Sequence, residues 1–217
     1  MNAEYITSRK NPLMTRIRRL TASRSYRREQ GLFLGDGAKL LEEALCWEAP
    51  LTTVVVTEGA QVPELPQGVR AIQVPQDVME TISPMNTPQG ALFLARLPET
   101  TLPERLEGRR YLVLDGVQDP GNVGTIWRTA DALGADGLLL VNGCADPWNP
   151  KTVRATMGAC FRLPVYERNA DGLAQWLFGF RPLSEIVAGE GRLDGTALPA
   201  WTKDVRPIDG VFLDEVV

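Results

Sequence analysis

Apolar runs and turn-forming residues alternate most regularly between residues 111 and 141. Four consecutive apolar residues at 111–114 predict a buried β-strand. The loop at 116–121 is rich in turn residues and ends in a Pro-Gly pair. A second apolar run at 138–141 predicts another strand, and a helical pattern lies between the two. This strand–loop–helix–strand unit is typical of α/β domains, which bind their ligands at the carboxyl ends of the strands.

The helical segment of this unit has recognisable start and stop signals. Asn122 stands where an N-cap is expected, and Gly134 stands where a glycine commonly follows the last helical residue. Ile126, Ala130 and Leu133 recur at helical spacing, which predicts that they form the inward face.

The N-terminal half also alternates helices and strands. After Pro12, Leu13, Ile17 and Leu20 recur at i, i+4 and i+7, which predicts an amphipathic helix with an arginine-rich outer face. Later patterns predict strands at 32–34, 51–57, 69–74 and 90–96, and helices at 38–47 and 78–82.

The segment after residue 141 continues the α/β pattern. A loop at 142–150 precedes further predicted helices at 151–159 and 172–178 and predicted strands at 163–166 and 185–188. The stretch from 97 to 110 carries two prolines and many charges, so it has few residues that could join a core. We therefore predict a first domain over 1–97, a linker over 98–108 and a second domain from 109 to 217.

Composition excludes several kinds of chemistry. The chain has no histidine, so Ser-His-Asp or Cys-His catalysis and histidine-ligated zinc are impossible. Its three cysteines, Cys46, Cys144 and Cys160, lack metal-ligand spacing and are expected to be buried and reduced, which favours a cytoplasmic setting. No apolar run in the sequence is long enough to span a bilayer.

Charge is distributed unevenly along the chain. The first 28 residues carry eight basic residues and one acidic residue, a net charge of +7 in a chain whose total is −4, which leaves −11 on the remainder. Such a patch is typical of proteins that bind a phosphate backbone, although a solvated basic helix face is the alternative. The candidate RNA contacts are Arg9, Lys10, Arg18, Arg19, Arg27 and Arg28, together with Arg154 further along the chain, for which a surface role is equally compatible.

Two polar residues of the central unit are candidates for chemistry. Asn122 lies at the expected start of a helix, where free N–H groups and the helix dipole favour an anion. Arg128 follows one and a half turns later and carries a planar guanidinium suited to phosphate or carboxylate. The alternative is that Asn122 only caps the helix and Arg128 is only a solvated side chain.

The sequence at 114–136, LDGVQDPGNVGTIWRTADALGAD, resembles the first motif of the SpoU/TrmH-type RNA 2′-O-ribose methyltransferases, members of the knotted SPOUT superfamily. The segment at 151–165, KTVRATMGACFRLPV, is similar to the one that follows in that family. The resemblance implies methyl transfer from S-adenosylmethionine to a ribose 2′-hydroxyl of ribosomal or transfer RNA. It implies that Arg128 holds the substrate phosphate and helps to deprotonate the hydroxyl, while Asn122 orders the loop around the nucleotide. It also implies a homodimer.

The N-terminal half is similar to the substrate-binding domain of these enzymes, an α/β fold related to ribosomal protein L30e. The likeness rests on the residues at 8–12, 31–37 and 83–90; the family usually has glutamate where this chain has Asp36. The fold class expected is therefore a two-domain α/β protein, with an L30e-like domain followed by an incomplete SPOUT domain that has a mostly parallel sheet.

The family resemblance weakens towards residue 217. The family's cofactor pocket would be lined here by Ala188 and Gly189, but the two motifs that complete the knot do not occur in IDGVFLDEVV, which spans 208–217. Two explanations remain open: a truncated or frameshifted enzyme, or an intact variant that binds RNA without methylating it. These 217 residues are expected to bind S-adenosylmethionine poorly or not at all, because a single strand edge cannot enclose the ligand.

Overall fold

The computed structural model describes residues 3–61, 63–100 and 110–168. In the N-terminal part the elements are β1 (Glu4–Tyr5), α1 (Pro12–Ala22), α2 (Arg24–Gln30), β2 (Leu32–Asp36), α3 (Ala38–Cys46), β3 (Leu51–Thr57), β4 (Arg70–Val74), α4 (Gln76–Ile82) and β5 (Ala91–Arg96). In the second part they are β6 (Tyr111–Asp115), α5 (Pro120–Ala132), β7 (Gly137–Val141), α6 (Pro150–Ala155), a 3₁₀ turn (Ala159–Phe161) and β8 (Val165–Glu167).

The five N-terminal strands form one mixed sheet with the order β1-β4-β3-β5-β2. Strand β3 pairs parallel with β4 and antiparallel with β5. Because side chains alternate along a strand, Val55 faces one side of the sheet, among the buried residues of α1 and α4. Val54 and Val56 face the other side, where α3 packs. The sheet is thus covered on both faces, which explains its apolar strands.

The second part contains a parallel sheet with the order β6-β7-β8. Its central strand β7 is buried along its whole length, as the run of leucines predicted. A parallel sheet beside a mixed sheet, both with packed helices, confirms the α/β fold class.

Helix α5 packs closely against α6 through a glycine. A Cβ at Gly124 would lie 2.5 Å from the carbonyl oxygen of Thr152 and 2.6 Å from the Cβ of Ala155, so only glycine permits this approach. The buried face of α5 includes Val123, Trp127 and Ala130.

The predicted inward face of α5 was only partly right. Ala130 is buried, but Leu133 is 72% exposed and Ile126 is only partly buried. The buried stripe instead passes through Trp127, whose indole Nε1 donates to the carbonyl oxygen of Leu163 at 3.0 Å. The bulky indole packs into the core and rotates the helix away from the predicted face. Gly134, with φ of +70°, follows the last residues of the helix as predicted.

The two parts share one hydrophobic core. The ring of Phe33 in β2 lies 4.7 Å from the ring of Trp148, and the ring of Phe93 in β5 lies 6.2 Å from that of Phe161. On the same side, Arg162 binds Glu43 of α3 at 2.7 Å and Asp131 of α5 at 2.7 Å. Apolar packing and this ion-pair bridge together fix how the two sheets face each other.

The three cysteines are free thiols. Cys144 and Cys160 are buried as expected, and burial raises the pKa of the Cys160 thiol to about 12. The expectation was wrong for Cys46, which is exposed because it closes α3 on the solvent side. No helix in the part of the chain that the structure describes combines the length and apolar character needed to cross a bilayer.

Candidate active site and RNA interface

The loop after β6 delivers the start of α5 to the carboxyl edge of the parallel sheet. The true N-cap of this helix is Asp119, whose carboxylate accepts a hydrogen bond from the backbone N–H of Asn122 at 2.9 Å. The prediction that Asn122 is the cap was therefore wrong. Pro120 occupies the first helical turn, where its missing N–H costs nothing, so the helix begins earlier.

Asp119 also binds a lysine from the next helix. Its second carboxylate oxygen lies 2.9 Å from Nζ of Lys151, at the start of α6. The hydrogen bond from Lys151, followed by the backbone hydrogen bond from Asn122, lowers the pKa of Asp119 below its ordinary value. A Cβ at Gly121 would lie 2.9 Å from Oδ1 of Asp119, so glycine keeps this cap and ion pair unobstructed.

Asp119 and Lys151 were missed as site residues. The Asp-Pro-Gly order was an available signal, since aspartate is a preferred cap and proline favours the first helical position. The pairing with Lys151 joins residues 32 positions apart, so no local pattern could reveal it.

Both predicted catalytic residues lie exposed on α5. Within residues 3–61, 63–100 and 110–168, the Arg128 side chain has no hydrogen-bond or ion-pair partner. The neighbouring hydroxyl groups are already satisfied, since Thr125 bonds the carbonyl of Gly121 and Thr129 bonds that of Thr125. An exposed guanidinium that has no partner among the described residues is suited to hold a phosphate.

Arg154 on α6 reaches across to the N-terminal part. Its guanidinium contacts the sulfur of Met85. Burial raises the pKa of the Asp36 carboxyl group. The hydrogen bond from Ser83 and the positive charge of Arg154 oppose this rise. Arg154 therefore sits between the two parts, exposed on the same surface as Lys151.

The basic N-terminal residues divide into two groups. Arg9 and Arg18 lie on the surface, where Arg9 pairs with Asp77 at 2.6 Å and Arg18 donates to the carbonyl of Arg9 at 2.8 Å. The guanidinium of Arg19 lies 3.8 Å from the ring centre of Tyr26, and Lys10 is exposed. These side chains remain candidate RNA contacts.

The prediction that Arg27 contacts RNA is wrong. Its residue is only 3% exposed, and its guanidinium donates to the carbonyls of Leu20 and Thr21 at the end of α1. It also pairs with Asp146 at 2.6 Å. A buried group with these partners cannot meet a phosphate backbone, so its role is structural. Arg28 stays accessible and pairs with Glu167 at 2.6 Å.

Comparison with known proteins identifies the relatives of this fold. The model of the SpoU rRNA Methylase family matches residues 109–177, and that of the MRM3-like substrate binding domain matches residues 11–92. The 23S rRNA (guanosine(2553)-2′-O)-methyltransferase RlmP of Bacillus subtilis is 34% identical over 196 residues, covering 90% of this chain and 74% of RlmP. The chain belongs to the SpoU rRNA methylase family.

Further relatives agree with this membership. The mitochondrial rRNA methyltransferase 3A of Danio rerio is 36% identical over 163 residues, which are 70% of this chain and 38% of that protein. The crystal structure of an AdoMet-bound rRNA methyltransferase from Sinorhizobium meliloti superposes with a TM-score of 0.69 and 34% identity, covering 81% of this chain and 68% of that one. The resemblance to the SpoU/TrmH-type enzymes is confirmed, and S-adenosylmethionine is the cofactor of the family.

Two of the predicted site residues of this SpoU family member, Ala188 and Gly189, lie outside the described residues. Within the part that the structure describes, β6 forms the outer edge of the three-stranded sheet, and Leu112 and Val113 on it are exposed. Strand β6 is followed by the loop at 116–119, which leads to the N-cap Asp119 and to Asn122, so this edge borders the candidate catalytic loop.

Proposed function

We propose that this protein transfers a methyl group from S-adenosylmethionine to a ribose 2′-hydroxyl of ribosomal RNA. One observation carries the proposal: α5, whose capped N-terminus lies at the carboxyl edge of a parallel sheet, presents an exposed Arg128 that has no ion-pair partner among the described residues. Membership of the SpoU family supplies the reaction, and the RlmP relative, which acts on 23S rRNA, favours ribosomal over transfer RNA.

The residues of the site would act on the RNA rather than on the cofactor. Arg128 would bind the phosphate beside the target ribose, and its positive charge would stabilise the oxyanion that develops as the 2′-hydroxyl loses its proton. Asn122 would order the loop around the nucleotide through its backbone bond to Asp119. When bound, S-adenosylmethionine supplies the electrophilic methyl group that the oxygen attacks.

We also propose a homodimer and a cytoplasmic setting. The exposed apolar side chains of Leu133 and Met157, at the ends of α5 and α6, support a further protein contact. The three free thiols support a reducing compartment.

The decisive experiment pairs a transfer assay with a binding assay on the 217-residue chain. Ribosomal RNA is incubated with S-adenosylmethionine labelled in its methyl group, and label is sought on 2′-O-methylated nucleosides after nuclease digestion. Isothermal titration with S-adenosylmethionine is run on the same sample. Label at one ribose supports the proposal. RNA binding without cofactor binding or label would instead establish a non-catalytic RNA-binding protein.

The surface arginines of α1 offer a second test. Replacing Arg18 and Arg19 by Ala should weaken binding of ribosomal RNA and flatten its salt dependence, because each lost phosphate contact lowers the slope of log affinity against log salt by about 0.7–0.9. Binding is measured by filter retention across a salt series. Lys39→Ala is the matched control, since Lys39 is exposed on α3, across the sheet from α1. An unchanged slope in the double variant would exclude this patch as a phosphate contact.

A further inference from the structure

A groove of about 830 Å³ separates α2 from the carboxyl ends of β7 and β8. Its walls include Arg24 and Arg28 on one side and Val141, Gly143 and Arg168 on the other. This size is within the range of sites that hold a ligand. The groove also lies at the sheet edge where α/β proteins bind their ligands.

Positive charge exceeds negative charge in this groove and beneath it. Among the described residues, four arginines surround two acidic residues. Asp146 pairs with Arg24 and Arg27, and Glu167 pairs with Arg24 and Arg28. The fourth arginine is Arg168, at the end of β8. In the part of the chain that the structure describes, these four cations and two anions leave an excess of two positive charges. A ligand with about two negative charges would neutralise it.

Arg168 lines the groove and is exposed. Its backbone N–H donates to the carbonyl of Leu140 at 3.0 Å, which fixes the residue at the end of β8. Its side chain is exposed and has no ion-pair partner among the residues that the structure describes. Its guanidinium therefore has its full donor capacity available to a phosphate.

The floor of the groove also has more donors than acceptors. A small cavity of about 50 Å³ adjoins it, lined by Arg24 and Arg28 as well as by the buried Arg27 and Trp148. Nε of Arg27 and Nε1 of Trp148 have no hydrogen-bond partner among the described residues, although the two residues are only 3% and 4% exposed. Buried donors without partners are rare, so this floor favours an acceptor-rich ligand or the water that accompanies it.

We propose that this groove binds the sugar-phosphate backbone of the RNA substrate next to the methylated nucleotide, engaging about two phosphate groups. This rests on the proposed function. Strands β6 and β8 are two spacings apart, roughly 10 Å, so an RNA strand that reaches the catalytic loop at β6 also reaches the groove. In the free protein, Glu167 occupies the arginines that the phosphates take over.

If the groove binds phosphate, two substitutions should change the RNA affinity in opposite directions. Arg168→Ala should weaken RNA binding by about fivefold at 0.1 M salt, the loss expected for one phosphate contact with a single strand. Glu167→Gln should tighten binding, because it frees Arg24 and Arg28 for phosphate. If Glu167 only held the structure together, its replacement would weaken binding instead.

The experiment measures fluorescence anisotropy of a labelled single-stranded oligouridylate with each variant of the full 217-residue chain. Arg70→Ala is the control. Arg70 is an exposed arginine on β4 that pairs with Glu4 on the neighbouring β1, and neither residue lines the groove, so RNA affinity should not change. Melting curves verify folding, and Arg168→Ala carries the test if Glu167→Gln fails to fold, because the Arg168 side chain is exposed and has no ion-pair partner within residues 3–61, 63–100 and 110–168.

The groove and the proposed function can fail separately. If Arg168→Ala and Glu167→Gln bind RNA like the unaltered chain, the groove proposal is overturned, whatever the methyl-transfer assay gives. A Glu167→Gln variant that melts at the usual temperature but binds RNA more weakly than the unaltered chain also overturns the groove proposal. If the unaltered chain binds no RNA, both proposals fall.

Discussion

Arg128→Ala is expected to abolish methyl transfer to ribosomal RNA while leaving the free energy of unfolding within about 1 kcal/mol of the unaltered chain. The side chain is exposed, with no partner in the part that the structure describes, so folding loses little. The reaction loses the charge that would hold the phosphate and stabilise the developing oxyanion. Removing such a group typically lowers the rate by about 10²–10³-fold.

Two further variants sharpen this test. Arg128→Lys keeps the charge but loses the planar fork, so we expect partial activity. Thr129→Ala removes a neighbouring exposed hydroxyl that bonds only the carbonyl of Thr125, so activity should persist. Initial rates with labelled S-adenosylmethionine and urea unfolding curves are measured on all three. A large stability loss with Arg128→Ala would make this arginine structural.

Arg27→Ala is expected to lower the free energy of unfolding by about 3–5 kcal/mol, the usual consequence of removing one partner of a buried ion pair. The substitution leaves the carboxylate of Asp146, whose side chain is only 10% exposed, without its closest cation, which lies 2.6 Å away. It also removes the donor to the carbonyls of Leu20 and Thr21 at the end of α1. Urea unfolding followed by circular dichroism gives the difference.

Arg24 provides the matched control on the same helix. Its side chain is 43% exposed and its contact with Asp146 is longer, at 3.9 Å. Exposed ion pairs contribute about 1 kcal/mol or less, so Arg24→Ala should have a small effect on stability. Equal losses for Arg24→Ala and Arg27→Ala would contradict the structural role assigned to Arg27.

Local patterns predicted most of the strands, and for a physical reason. The buried runs in β3 and β7 are apolar because both faces of their sheets are covered, and such runs are visible in sequence. The start of α5 was misplaced because two plausible cap residues, Asp119 and Asn122, lie three positions apart. The geometry of Pro120 decides between them only once the backbone is known.

The role of Arg27 could not be predicted from sequence. It lies among other arginines on a helix, and its partner Asp146 is 119 positions away, so charge patterning groups it with the exposed side chains. The same applies to Arg162, whose partner Glu43 is also 119 positions away. Long-range pairs depend on how the two sheets are docked, which local periodicity does not encode.

The core that contains Phe33 and Trp148 fixes the distance between two separate surfaces of the molecule. Because the two sheets are held in one orientation, the distance from the arginines of α1 to Arg128 on α5 is set before RNA arrives. If RNA binds as proposed, the ribose that meets Arg128 is determined by its distance along the RNA from the segment bound by α1. Lengthening that RNA segment by one base pair would shift which ribose meets Arg128, and little ordering entropy would be spent on aligning the protein.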